Sequence, residues 1–297
     1  MARVLAFGEI LWDKIEEDYH LGGAPLNFAA HAWKCGLKSG IISCVGNDSL
    51  GEKAIEQVKK LGVATDLILR RNKKTGVVNV TIEDGQPSYE ILKPRAFDYI
   101  DFGRLNEYLI PNYQYFYFGS LIQRSDSSKA ALYHILDNYS FEEVFFDVNL
   151  RRDCYTSETI DKSLRYCTIL KVGDEEVSTI QELIPHVKAE GFEMFSKTVI
   201  RNYPNIRRII TTAGSEGSYI FEDSILHHVP TEPVKVVDAV GAGDSFSASF
   251  LATFTKTNNV VQSATIANKV GGFVASQRGA IPEYSSSIKS LLDHHYI

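Results

Sequence analysis

Four cysteines are few for 297 residues, and Cys35, Cys44, Cys154 and Cys167 form no C-x-x-C pair. Their spacing argues against a zinc site and a disulfide framework, and leaves them as reduced thiols in or near a core. Long apolar runs are missing too: none approaches the ~18 residues of a membrane span. The start, "MARVLAFGEILWD", turns acidic at Glu9 and Asp13 before a signal-peptide core would be complete. The expected location is therefore the cytoplasm, away from any membrane. No basic run interleaved with aromatics occurs, and 31 Lys and Arg against 37 Asp and Glu give a net charge of -6. That balance disfavours nucleic acid and favours a small-molecule partner. No repeat, low-complexity tract or linker divides the chain, and 44% apolar with 23% charged content suits one sizeable core.

What is present is an alternation. The runs "RVLAFGEI", "SGIISCVG", "YQYFYFGS", "EEVFFDVN", "CTILKVG" and "IRRIITTAG" lack strict polar alternation, which predicts strands covered on both faces. Between them, "SLGEKAIEQVKKLG", "SSKAALYHILDNY" and "FEMFSKTVIRNYPN" carry helix formers and end at Gly, Asn or Pro. Strand and helix in turn predict a doubly wound parallel α/β sheet. Residues 73–97, "KKTGVVNVTIEDGQPSYEILKPRAF", break the rhythm and read as a hairpin about "EDGQP". Together with the short polar segment 13–22 they predict an antiparallel flap able to cover a ligand on the main sheet.

The stretch "KVVDAVGAGDSFSASFLATF" carries the strongest chemical signal. "KVVDAV" reads as a strand end, "GAGD" as a tight turn and "SFSASFLATF" as a helix. The amides around Gly241, Ala242, Gly243 and Asp244 then lie at a helix N-terminus, where unpaired N–H groups and the helix dipole favour an anion. Asp244 could simply cap that helix. A carboxylate beside a phosphate-binding turn is electrostatically costly, however, unless it serves a purpose such as taking a proton from a hydroxyl.

"DAVGAGDSF" resembles the C-terminal D-T-x-G-A-G-D signature of the ribokinase-like (PfkB) carbohydrate kinase family, and "GGAPLNFAAHAWKCG" resembles its N-terminal GG-x-x-x-N element. The likeness runs from "FGEILWD" to "RGAIP", and "FFDVNLRRDCY" resembles the F-D-x-N-x-R segment of fructokinase-like members. The resemblance implies one domain over 1–297, a ribokinase-like Rossmann-type three-layer sandwich with a small β-sheet lid from about 13–22 and 73–97. It implies transfer of the γ-phosphoryl group of ATP, with magnesium, to a hydroxymethyl group of a hexose, fructose first.

Carried over residue by residue, Asp244 becomes the base, and the amides of Gly241, Ala242 and Gly243 the anion hole. Asp13, Gly22, Gly23, Asn27, Asn149 and Arg151 become the sugar site; an acceptor and an amide suit a polyol, and Gly22 and Gly23 would leave room for the ring. "ITTAGSEGSYIF" implies Thr212, Gly214 and Gly217 along the nucleotide, and "ATIANKVGGFVASQRGAIP" implies Asn268 near the adenine. Glu176 keeps the acidic position of the N-x-x-E motif, which organises magnesium and its waters, although Gly173 replaces the Asn. Asp238 matches a monovalent-cation position, leaving room for potassium. Family members often dimerise through their lids, so a homodimer is expected.

Other readings within reach are a 2-keto-3-deoxygluconate kinase or ribokinase of the same family, and a non-catalytic sugar- or nucleotide-binding protein. "GNDSLGEK" only approximates a phosphate-binding P-loop: Glu52 stands where the lysine belongs. "GAGDSF" lacks the third glycine of a dinucleotide fingerprint.

Overall fold

The six apolar runs lie side by side in one sheet. The computed structural model describes residues 1–83 and 86–294. The chain opens with β1 (Arg3–Phe7), β2 (Leu11–Ile15), β3 (Asp18–Gly22), α1 (Ala24–Lys34), β4 (Lys38–Gly46), α2 (Ser49–Lys60) and β5 (Ile68–Arg71). It continues through β6 (Gly76–Glu83), β7 (Gln86–Ile91), β8 (Tyr115–Gly119), α3 (Asp126–Asn138), β9 (Glu143–Asp147), α4 (Ser157–Leu164), β10 (Ile169–Gly173) and α5 (Asp174–Leu183). It ends with α6 (Gly191–Asn202), β11 (Arg208–Thr212), β12 (Ser218–Glu222), β13 (Ile225–Val229), α7 (Ala242–Thr257), α8 (Val260–Ala275) and α9 (Ser286–His294).

The main sheet has nine strands in the order β13-β12-β11-β10-β9-β8-β1-β4-β5. Side chains alternate across it, so β1 sends Val4 and Ala6 to one face and Leu5 and Phe7 to the other, all fully buried. Helices α1, α2, α7, α8 and α9 cover the first face and α3 to α6 the second. Double coverage explains the unbroken apolar strands. Each buried Phe contributes roughly 1.5–3 kcal/mol, and Phe28 of α1 stacks on Tyr117 of β8 with centroids 3.8 Å apart.

The sheet is parallel from β11 to β5, but β12 and β13 pair antiparallel at one edge. The wholly parallel expectation fails there because Asp223 and Ser224 both take positive φ, 48° and 69°, making a two-residue hairpin turn. "KVVDAV" fails as a strand: residues 235–240 are irregular, with Val236 62% exposed. Among the described residues its β-branched run pairs with no strand, and context overrides propensity. The amides of Val237 and Asp238 donate instead to the carbonyl of Ala275, at 2.8 and 3.1 Å.

A second sheet of four strands runs β3-β2-β6-β7. β6 and β7 are the two arms of the hairpin anticipated around "EDGQP"; residues 84 and 85 of its turn lie outside the described residues. β2 pairs parallel with β6 and antiparallel with β3, which sets Asp13 opposite His20. Trp12 anchors this sheet to α2 by donating from Nε1 to the carbonyl of Leu50 at 3.1 Å. The stretch resembling a P-loop serves the fold instead, since Asp48 caps α2 by accepting from the amide of Gly51 at 2.8 Å.

Candidate active site

The predicted turn sits at the C-terminal edge of the parallel strands, where open α/β sheets gather ligands. Gly241 caps α7 in the left-handed region, φ 81°, and a side chain there would run into the main chain of Ala280. Of the three predicted anion-hole amides, that of Ala242 already donates to Ala239 O at 3.2 Å. Among the described residues no main-chain acceptor meets the amides of Gly243 and Asp244, which stand free at the helix end.

Asp244 is buried in the first turn of α7, and Asn27 Nδ2 donates to its Oδ2 at 2.8 Å. Burial first, then the charge of Asp147, pushes its carboxyl up to about 6; the Asn27 hydrogen bond, Lys171 and Arg151 pull the other way. Asn27 therefore holds the candidate base directly. Its own Oδ1 is buried and meets no partner among the described residues, leaving an acceptor at the site.

Two further acids share this space. Asp13 is raised to about 6, by burial and then by Asp238, against His20 and Arg151. Glu9, absent from the predicted set, is buried just after β1 and raised to about 7, chiefly by burial. The two glycines also serve the protein's own packing. A Cβ at Gly22 would sit 2.9 Å from Asp13 Oδ2, and one at Gly23 (φ 113°) 2.5 Å from the carbonyl of Glu9. The glycines make room for these neighbours.

Arg151 follows β9 on the exposed loop, and its charge lowers the pKa of Glu9, Asp13 and Asp244 alike. Asn149 beside it takes φ 39° and accepts from Ser120 Oγ at its carbonyl, 3.2 Å away. Glu176, at the start of α5, clamps this loop to β10: Oε1 accepts from the amide of Leu150 at 2.6 Å and Oε2 from that of Gly173 at 2.7 Å. Among the described residues no three His, Cys, Asp or Glu side chains converge as a metal cage. With a lone pair still open on each Glu176 oxygen, this donor set fits a magnesium held through its own waters.

Asp238 is similarly committed, accepting from the amides of Val240 and Gly279 at 3.0 Å each. Thr212 ends β11 in register with Gly173, and the turn that follows begins at Gly214 and closes at Gly217, whose carbonyl accepts from the amide of Ala213 at 2.9 Å. Asn268 is buried on α8 and donates to Val229 O at 2.8 Å, so its amide fixes the wall after β13.

Sequence reasoning missed a buried pair below α7. Lys171 Nζ lies 3.0 and 3.2 Å from the two oxygens of Asp147, which also accepts from Tyr117 Oη (3.2 Å) and Ser247 Oγ (3.0 Å). The signal was one charge directly behind each apolar stretch, Asp147 after "VFF" and Lys171 after "TIL". His31 was missed too. Buried one turn beyond Asn27, it donates from Nε2 to Ala280 O at 2.8 Å and accepts at Nδ1 from Tyr284 Oη at 2.7 Å. Burial lowers its pKa to about 4, so it is neutral, and it braces the segment on which Gly241 rests.

The pfkB family carbohydrate kinase profile matches residues 6–286. An uncharacterized sugar kinase of Pyrococcus horikoshii is 28% identical over 298 aligned residues, covering 93% of this chain and 91% of the relative. Its crystal structure with ATP superposes with a TM-score of 0.81 over 94% of each chain, at 26% identity. Fructokinase-2 of Oryza sativa subsp. japonica is 24% identical over 311 residues, 94% of this chain and 90% of the relative. A 2-dehydro-3-deoxygluconokinase from Thermotoga maritima shares the fold with a TM-score of 0.83 at 21% identity, over 98% and 99% of the two chains. A family match spanning nearly the whole chain, on the fold its relatives share, makes this protein a member of the pfkB family of carbohydrate kinases.

Proposed function

We propose that the protein transfers the γ-phosphoryl group of ATP to a hydroxymethyl group of a hexose, with fructose the preferred acceptor. The observation that carries the reading is Asp244, a buried carboxylate held by Asn27 at a helix end whose amides are free. The P. horikoshii relative binds ATP at this fold, which supports the nucleotide. "GGAPLNFA" and "FDVNLR" favour a hexose over ribose.

In this reading Asp244 accepts the proton of the attacking hydroxyl, while the amides of Gly243 and Asp244 face the oxygens of the moving phosphoryl group. Gly241 sets the turn, and Ala242 offers its amide only if the bond to Ala239 opens. Catalysis is then mainly positioning and charge stabilisation. Asp13, Asn27, Asn149 and Arg151 orient the sugar; Thr212, Gly214, Gly217 and Asn268 line the nucleotide. Magnesium, when bound through waters at Glu176, neutralises charge on the nucleotide phosphates. Asp238 orders the turn against Gly279, and potassium beside it would rest on main-chain carbonyls.

The reading also takes the chain as one domain whose four-stranded sheet is a lid. Ile15, Tyr19 and Tyr89 are exposed on it, an apolar surface suited to a second copy. Among the described residues no helix is long and apolar enough to cross a membrane, and we place the enzyme in the cytoplasm.

An acidic sugar is the second reading within the family. Glu9, Asp13 and Asp244 disfavour it, and Lys93 of the lid is already bound to the carbonyl of Asp153 at 3.1 Å. ADP release measured across fructose, ribose, adenosine and 2-keto-3-deoxygluconate tests both. Strongest stimulation by fructose is expected. Stimulation by the keto-acid alone would transfer the assignment, and stimulation by none would favour a binding protein.

A further inference from the structure

Buried charges call for a reason, because an ion pair inside a protein can often be replaced by apolar side chains without loss of stability. Lys171, in the middle of β10, and Asp147, at the C-terminal end of β9, form such a pair; Lys171 is 7% exposed and Asp147 fully buried. Their position makes the puzzle sharper. A Cβ on Gly243 would lie 3.2 Å from Lys171 Nζ, so the ammonium sits against the first turn of α7. That is the positive end of the helix dipole, where a cation is disfavoured and an anion welcomed.

We propose that Lys171 is a catalytic residue, whose ammonium completes with the first-turn amides of α7 the cradle for the phosphoryl group in transfer. The inference rests on the kinase reading above. Ammonium, free amides and helix end concentrate positive charge on one point, an arrangement that an incoming phosphoryl group satisfies.

Asp147 fixes the ammonium there. It accepts two of the three Nζ protons, and its own freedom is limited by Tyr117 Oη and by Ser247 Oγ, whose single proton is shared between Asp147 and Gly243 O, each 3.0 Å away. Among the described residues no acceptor meets the third proton. Although burial alone would lower the Lys171 pKa, Asp147, then Glu176 and Asp244, hold it above its ordinary value, so the group stays charged.

In the step, the bond from the sugar oxygen to the γ-phosphorus forms as the bond to the bridging oxygen breaks. Asp244 takes the hydroxyl proton and ADP leaves with the bridging electrons. Lys171 neither gains nor loses a proton; it stabilises charge on the phosphoryl oxygens.

Removing Lys171 alone would strand a buried carboxylate, so the test uses the neutral pair Lys171→Met with Asp147→Asn, in which the introduced amide oxygen still accepts from Tyr117 and Ser247. With fructose and MgATP, the double variant is expected to melt near the unaltered protein, keep KM values within about threefold, and lose on the order of 10²-fold or more in kcat, the scale of one lost oxyanion donor. Turnover within about threefold would overturn the proposal and leave Lys171 as a counter-ion to Asp147. Should the pair fail to fold by circular dichroism, Lys171→Gln, which keeps a donor for Asp147 without the charge, is read against the same limits. Lack of sugar-stimulated ADP release by the unaltered protein would instead overturn the kinase reading.

Discussion

Asn27 Nδ2 reaches Asp244 Oδ2 at 2.8 Å across a sequence separation of 217 residues. The two family motifs therefore meet in a single hydrogen bond, and the amide steadies the ionised form of the carboxyl against its burial. Asn27→Ala removes that support, so the acid limb of the kcat/KM profile should move to higher pH. In the unaltered protein activity should fall as pH drops through about 6, where Asp244 takes up its proton. An acid limb unmoved by the substitution would separate Asn27 from the base.

Stability should run opposite to activity over the same range. Glu9, Asp13 and Asp244 have pKa values raised to about 7, 6 and 6, above ordinary carboxylates. Between the ordinary and raised values the folded state binds more protons than the unfolded, so stability falls as pH rises. For these groups the loss runs from about pH 4 to about 7. Glu9→Gln should accordingly raise Tm at about pH 8 and change it little at about pH 4. Equal shifts at both pH values would show that ionisation of Glu9 is not the cost.

The turn at Gly241 should tolerate no side chain. Gly241→Ala forces a Cβ against Ala280 in left-handed backbone, a strain on the order of 1–3 kcal/mol, and displaces the first turn of α7. Turnover should drop at least tenfold with sugar KM changed less. His31→Leu, which frees Ala280 from behind, should produce the same pattern together with a lower Tm, whereas unchanged kinetics would confine His31 to stability.

The fold was legible because both sheet faces are covered, which turned six strands into plain apolar runs. The β12–β13 edge was not, since Asp223–Ser224 is a weak hairpin signal, and "KVVDAV" misled because local propensity cannot report a missing neighbour. Asp244, Asn27 and Arg151 were found through the motifs around them. Glu9, Lys171 and His31 were not, because each is a lone polar residue in an apolar context, and Asp147 lay inside the F-D-x-N-x-R stretch without a role; all four gain meaning only when distant elements converge.

The exposed Ile15, Tyr19 and Tyr89 predict association through the four-stranded sheet. Light scattering should give a dimer for the unaltered chain and a monomer for Tyr19→Lys combined with Tyr89→Lys. A dimer that persists would move the interface elsewhere.

The most direct test is Asp244→Asn, a substitution of nearly equal shape that also relieves a buried charge. ADP release with fructose and MgATP should fall on the order of 10²-fold or more while the protein melts at or above the unaltered temperature. Near-normal turnover in that variant would contradict Asp244 as the base.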